Sequence, residues 1–318
     1  MTGLEVSTPA PCAVAPTPAG PGELPDVLGG RYRIERLLGA GGMGAVYRAR
    51  DLLQEQFGDP QPYIALKLLS EAFTPSPDAG ALLFNEFALI RHLRHPNVLR
   101  MYSFNVDTVH QRVYLVMELL RGPTLDRLLC EHPLGLPWPQ WRDIALPLLD
   151  AMAHAHGRGV LHGDIKPSNV LLSDDGVRLF DFGLGQAETS TLEGLAPVSR
   201  SRLNAWTPGY AAAEILEGQP LTRAADVYAL GCLLYELASG KHPYNRMLAT
   251  EARAQHNPSL LKAPQNLPPH LWPALRTALA LDPAKRTITV EQLLKAASLT
   301  PNWRQRLMQW RPRKPGHA

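Results

Sequence analysis

Several things are scarce in this 318-residue chain, and each scarcity excludes a class of protein. Cysteine occurs three times, at Cys12, Cys130 and Cys232, widely spaced and never as CxxC. That pattern argues against a disulfide framework or a zinc site and fits a reducing compartment. No apolar run approaches the roughly 18–20 residues that a membrane-spanning helix needs. The N-terminus has neither a basic start nor an apolar stretch, so a secretory signal is not expected. The formal net charge of +3 is too small to argue for a nucleic-acid partner. No internal repeat is visible. The expectation is a soluble, cytoplasmic protein, with no membrane span and no nucleic acid.

The apolar fraction of 45% and the charged fraction of 19% are ordinary for a globular protein. The length suggests about two domains, or one domain with two lobes. Residues 1–30 are rich in Pro, Ala, Gly and Thr, with Pro9, Pro11, Pro16, Pro18, Pro21 and Pro25 recurring among little apolar bulk. Such a segment buries too little surface to offset its ordering entropy and reads as a disordered tail, with a docking role as the alternative. Residues 301–318 form a basic tail, with Trp303 and Trp310 among Arg304, Arg306, Arg311, Arg313 and Lys314. Interleaved aromatic and basic residues can bind acidic surfaces or phospholipid headgroups. A docked or solvated tail is the preferred reading.

Between the tails, Arg31 to Ile34 reads as the short strand that begins the fold, running into Leu38-Gly39-Ala40-Gly41-Gly42-Met43-Gly44-Ala45-Val46. Gly39, Gly41 and Gly44 fit G-x-G-x-x-G-x-V. Glycines let a hairpin lie close over a triphosphate and offer N–H groups without side-chain clashes. A dinucleotide-binding turn looks alike, but such a turn precedes a helix, whereas this one lies between two strand-like runs. Asp51 to Pro62 reads as an irregular insertion. Tyr63 to Leu69 reads as a buried strand carrying Lys67, a costly placement unless the ammonium is paired. Leu82 to Leu93 has helical periodicity and carries Glu86, and strand-like runs follow at Leu99 to Val106 and Arg112 to Met117. Later, Leu125 to Leu129 and Trp141 to His156 look helical, the second either kinked at Pro147 or starting later than drawn. Asp226 starts a further apolar helix through Leu237.

The densest chemistry lies at His162-Gly163-Asp164-Ile165-Lys166-Pro167-Ser168-Asn169, followed by Asp181-Phe182-Gly183. Apolar runs flank the loop on both sides. Together with the glycine hairpin, Lys67 and Glu86, these stretches resemble the protein kinases, and their wording looks most like the bacterial serine/threonine kinases. The resemblance covers about residues 31 to 300 and implies an α+β, bilobal fold. A small, mainly antiparallel β N-lobe with one key helix would span 31–120 with the hinge, and a larger, mainly helical C-lobe would span 121–300. The chemistry implied is transfer of the γ-phosphoryl group of ATP, with Mg2+ or Mn2+, to Ser/Thr hydroxyls of protein substrates, with autophosphorylation.

By that resemblance Asp164 is the base that positions the acceptor hydroxyl, and Lys166 stabilises the transferring group. Asn169 and Asp181 hold the metal, and Lys67, steadied by Glu86, contacts the phosphates. The nucleotide pocket takes in Leu38, Gly39, Gly41, Gly44, Val46, Ala65, Lys67, Met117, Glu118, Leu120 and Leu171. Met117 falls at the gatekeeper position and Glu118 to Gly122 at the hinge. Thr207 to Glu214 resembles the peptide-docking end of an activation segment, with Arg286 as the partner of Glu214. That feature disfavours a small-molecule phosphotransferase, and Thr207 with Lys166 favours Ser/Thr over Tyr.

Three positions depart from the pattern. Gly163 stands where many kinases carry an Arg that ties a phosphorylated activation loop to the catalytic loop. Trp206 replaces a small residue before Thr207, and Ala213 replaces a Pro. The alternative reading is a pseudokinase scaffold that binds nucleotide or partners without catalysis. With no sensor domain or membrane span read in the sequence, the expected input is a regulatory partner protein, the tails or concentration.

Overall fold

A computed structural model of the chain describes residues 24–41, 44–69, 79–188, 207–255, 257 and 260–299. The two tails, and the segment holding Thr189, Ser190, Thr191, Ser199, Arg200, Ser201, Arg202 and Trp206, lie outside the described residues.

The first lobe is a six-stranded antiparallel sheet in the order β1-β2-β3-β4-β6-β5. Its members are β1 (Val27–Leu28), β2 (Tyr32–Gly41), β3 (Gly44–Asp51), β4 (Tyr63–Leu69), β5 (Met101–Asp107) and β6 (Arg112–Met117). Ordered structure thus begins ahead of Arg31, because Val27 and Leu28 pair with Arg33 and Tyr32 and Leu28 is fully buried. In β2, burial falls off after Ile34, and two register shifts twist the strand as it leaves the sheet. The β2–β3 hairpin therefore overhangs the next lobe. The insertion after Asp51 contains a short helix, α1 (Leu52–Gln56), which Asp51 caps by accepting from the Leu53 and Gln54 N–H groups. Helix α2 (Ala79–Arg91) crosses the sheet and packs on β5 and β6. It starts and stops earlier than the apolar periodicity of residues 82–93 suggests.

The second lobe is mainly helical. Its helices are α3 (Leu125–Glu131), α4 (Trp138–Gly157), α5 (Ala213–Leu216), α6 (Arg223–Ser239), α7 (Ala249–Gln255), α8 (Trp272–Ala278) and α9 (Val290–Ser298). Between α4 and α5 lie β7 (Val160–Leu161), β8 (Val170–Ser173), β9 (Gly176–Leu179) and β10 (Gln186–Ala187), paired β8 with β9 and β7 with β10. Helix α4 runs through Pro147 rather than starting after it. A proline there removes a bond and costs about 3 kcal/mol. The flanking Leu148 and Leu149, both fully buried, recover about 1.5–3 kcal/mol each by burial. Helix α6 is buried on nearly every side and forms the lobe's axis.

Besides the hinge, a run of backbone hydrogen bonds joins the lobes. After α2, Asn97 to Leu99 runs along β9: Leu179 N donates to Asn97 O (2.8 Å) and Leu99 N to Leu179 O (2.9 Å). Asn97 Nδ2 adds a bond to Val177 O at 2.9 Å. This piece of the first lobe is hydrogen-bonded into the second.

Candidate active site

The lobes enclose a cleft of about 700 Å³, within the range typical of small-molecule sites. Its roof is the β2–β3 hairpin, with Leu38, Gly39, Gly44 and Val46. Gly44 is required by packing, since a Cβ there would lie 2.1 Å from Leu68 O. Gly39 has nothing within 4 Å of its missing Cβ, so its glycine keeps the cleft side of the hairpin open. Gly41 pairs with Gly44 at the hairpin end.

Ala65 and Met117, opposite each other in the β4–β6 register, line the back wall, and Leu171 contributes from β8. At the hinge, Glu118 N donates to Arg100 O (3.0 Å), while the Glu118 carboxylate accepts from Arg100 N (2.7 Å). Glu118 is thereby locked, with its N–H already used, which leaves its carbonyl and the Leu120 N–H as hinge groups that could bond a ligand. Leu120 and Gly122 also line the cleft.

On the floor, Lys67 Nζ donates to Glu86 Oε1 and Oε2 at 2.8 and 2.7 Å and to Asp181 Oδ1 at 2.8 Å. Burial opposes the charge on Lys67, but Asp181 and Glu86 outweigh it and hold the ammonium well above its usual value. Burial pushes the Glu86 carboxyl up, with Asp181 adding to it against Lys67. For Asp181, burial is outweighed by Lys67 and the carboxyl stays below its usual value. Asp181 is thus the firm anion, and it sits at φ 66, a conformation that costs a non-glycine residue energy and marks functional sites. Phe182 is fully buried beneath it and packs on the His162 ring at 4.3 Å between centroids.

The catalytic-type loop is anchored from below by α6. Asp226, 1% exposed, accepts from His162 N and Gly163 N, both at 2.9 Å, and from His156 Nε2 at 3.0 Å. Gly163 has φ 80, and a Cβ there would lie 2.5 Å from Leu184 O, so the turn is built for glycine. His162 accepts from Asp164 N at Nδ1 (3.2 Å) and donates from Nε2 to Phe180 O (3.2 Å), the pattern of a neutral ring. Burial lowers its pKa, against three nearby carboxylates.

Asp164 then projects into the cleft. Thr207 Oγ1 donates to Asp164 Oδ1 (2.9 Å), and Lys166 Nζ donates to Asp164 Oδ2 (2.5 Å) and Thr207 Oγ1 (2.8 Å). Asn169 Nδ2 donates to the Asp164 carbonyl (2.8 Å) and carboxylate (3.2 Å). Its amide nitrogen is therefore occupied and its Oδ1 is left as a donor atom for a cation. Below the loop, Arg286 Nη1 meets Glu214 Oε1 at 2.6 Å with the Arg side chain wholly buried, the pair that the family resemblance implied.

The fold brings Lys67, Glu86, Asp164, Lys166, Asn169 and Asp181 into the one cleft. Thr124, Arg127 and Ser168 also line it but were not singled out from the sequence. Nothing local marks them, since they reach the cleft only through the packing of α3 and the 167–169 turn. The anchoring role of Asp226 was equally hidden, although its place at the start of an apolar helix is an unusual position for a buried carboxylate.

The comparisons agree with this geometry. Residues 32–298 match the protein kinase domain family. The chain is 34% identical over 273 residues to serine/threonine-protein kinase PkaA of Streptomyces coelicolor, covering 81% of this chain and 48% of that one. It is 31% identical over 265 residues to PknA of Mycobacterium tuberculosis, covering 80% and 56%. The chain thus spans about half the length of the curated relatives it matches. The crystal structure of a point mutant of the Mycobacterium tuberculosis PknI kinase domain is similar, with a TM-score of 0.62, 27% identity and coverage of 85% of this chain and 95% of that one. The chain belongs to the protein kinase domain family, and the relatives it resembles there are bacterial serine/threonine kinases.

Proposed function

We propose that this protein transfers the γ-phosphoryl group of ATP to Ser and Thr hydroxyls of other proteins and of itself. The observation that carries the reading is that Lys67 bonds Glu86 and Asp181 at once, in the same cleft where Asp164 stands between Lys166 and Thr207. The proposal includes a cytoplasmic setting and control through a partner protein.

The residues fit a hard divalent cation. Asn169 Oδ1 and the Asp181 carboxylate are oxygen donors on one side of the cleft, and among the described residues no group of three His, Cys, Asp or Glu forms a full cage. Two protein oxygens suit Mg2+ or Mn2+ held mainly by phosphate and water. When bound, such an ion supplies charge neutralisation on the phosphate oxygens.

Adenine is held between Ala65, Val46 and Leu171 and reads the Glu118 carbonyl and Leu120 N–H. Lys67 neutralises the α/β-phosphates while Glu86 keeps its stem oriented. Asp164 accepts a hydrogen bond from the acceptor hydroxyl, whose oxygen attacks the γ-phosphorus as the bond to ADP breaks, and the hydroxyl proton ends on Asp164. Lys166 follows the transferring group and balances its charge. Thr207, bonded to both Asp164 and Lys166, helps fix the carboxylate for a short acceptor side chain.

The test is transfer from labelled ATP with Mg2+ to the protein itself and to a generic protein substrate, beside Asp164→Asn and Lys67→Met. Transfer by the parent, yielding acid-stable phosphoserine or phosphothreonine and lost in both variants, is expected. Folded parent protein that binds nucleotide but transfers nothing would refute the reading in favour of a scaffold.

A further inference from the structure

The charges around the cleft do not cancel evenly. Of its lining cations, Lys67 is paired with Glu86 and Asp181, and Lys166 with Asp164. The remaining carboxylate, Glu118, is committed to Arg100 N–H. Arg127, exposed at the first turns of α3, has no ion pair or side-chain hydrogen bond among the described residues. The neutral Thr124 and Ser168 complete that part of the lining. Apart from Asp164, no lining carboxylate among the described residues is left for a cationic peptide.

The other side of the acceptor region shows the same bias. Tyr210 N closes a turn onto Thr207 O at 3.0 Å, and the Tyr210 hydroxyl donates to the Glu236 carboxylate. Glu236 is 4% exposed and touches that turn through Tyr210, as Asp164 does through Thr207. Arg246 covers it, with Nη2 3.4 Å from Glu236 Oε1, yet the Arg246 side chain remains 79% exposed. Arg246 is held there by an unusual backbone. Tyr244, Asn245 and Arg246 have φ of 55, 54 and 64 in succession, a left-handed turn that L-residues rarely adopt. The Tyr244 hydroxyl fastens the turn to Leu279 O at 2.6 Å. The fold thus strains three residues to set a guanidinium over the buried acid that Tyr210 contacts.

We infer that Arg127 and Arg246 are specificity residues that select acceptor proteins carrying Asp, Glu or other anionic groups around the Ser or Thr, and that Arg246 blocks Glu236 from reading basic residues. The inference rests on the kinase reading and names the substrate class for it. Opposite charges at partly exposed positions steer encounter and set specificity.

The experiment uses the full chain, Mg2+-ATP and three sets of acceptor peptides, flanked by Asp, by Lys or by Ala. The quantity read is the acidic-to-basic ratio of kcat/KM within each variant, so that loss of folded enzyme cancels. One exposed ion pair gives up to about fivefold, so the parent ratio is expected between about fivefold and twenty-fivefold, carried by KM and shrinking with added salt. Arg127→Glu and Arg246→Glu should each lower the ratio about fivefold or more. Arg246→Ala should raise rates on the Lys-flanked peptides, a gain lost when Glu236→Gln is added. A parent ratio near one, a basic preference, or variants that leave the ratio unchanged would overturn the inference while leaving the kinase reading standing. A parent that labels neither peptides nor itself overturns both.

Discussion

Replacing Gly163 by Ala tests whether the catalytic-type turn depends on the missing side chain. The residue sits at φ 80, which costs an L-residue about 1–2 kcal/mol. A new Cβ would also lie 2.5 Å from Leu184 O and 3.1 Å from Leu221 Cδ2. The first neighbour is backbone, in the segment that follows Asp181-Phe182-Gly183, so it cannot swing aside as a side-chain tip could. Overpacking of this kind adds about 1–3 kcal/mol. Nor can the turn simply rotate, because Asp226 holds both the His162 and Gly163 N–H groups. The expected loss is therefore about 2–5 kcal/mol. At roughly 2–4 °C per kcal/mol for a unit of this size, the midpoint falls by about 4–20 °C. Thermal and urea unfolding of the parent, Gly163→Ala and Gly157→Ala would measure it. Gly157 ends α4 with nothing within 4 Å of the missing Cβ, so its substitution should be neutral or slightly stabilising. If Gly163→Ala unfolds within about 1 °C of the parent, the strain argument is wrong.

Four further outcomes are expected. Arg286→Met should destabilise by about 3–5 kcal/mol in urea unfolding, since it strands the buried Glu214, and adding Glu214→Gln should recover part of the loss; a single mutant of parental stability would contradict this. Burial lowers the His162 pKa below its usual value of about 6.5, so the unfolded chain takes up the proton first and stability falls as pH drops below about 6.5. Urea midpoints at pH 7.5 and 5.5 should show that fall, with the His162→Asn variant less affected; equal pH slopes would exclude His162 as its source. Asp226, held below the usual carboxyl value chiefly by His156 against burial, contributes stability that is present above about pH 3.9 and lost below it, so the acid transition of Asp226→Asn should lack that component. With Gly163 in place of the family's frequent Arg, an enzyme with Thr189, Ser190, Thr191, Ser199 and Ser201 all changed to Ala should keep appreciable phosphotransfer. Lost activity restored by acidic substitutions would refute that.

What could be read in advance was whatever chemistry confines to short spacings. Asp164, Lys166 and Asn169 work from one loop, so their order is visible in the chain, and the same holds for the Gly39–Val46 hairpin. For the distant pair of Lys67 with Glu86, the apolar strand showed that the ammonium needs a partner, and the family resemblance supplied which one. Helix ends were less visible. The residue pattern placed α2 at 82–93 where it runs Ala79–Arg91, and Pro147 suggested an interruption that burial of Leu148 and Leu149 overrides. Least legible was support from afar. Asp226 reaches Gly163 across 63 positions, and Arg246 meets Glu236 only through a left-handed turn that no local rule favours.

The strip from Asn97 to Leu99 also determines how the molecule can bend. It is bonded to Val177 and Leu179 near the foot of α2, so that end of the helix travels with the larger lobe. The backbone of the smaller lobe is then fastened here and at the hinge after Met117, with Lys67–Asp181 and Asn85–Gly185 as side-chain contacts across the lobes, and the line between the two backbone attachments acts as an axle. Points near the axle barely shift when the lobes tilt, while the described hairpin positions Gly39 and Gly44 sweep a wider arc. A rocking motion can therefore open the mouth to nucleotide while Glu86 remains within reach of Lys67.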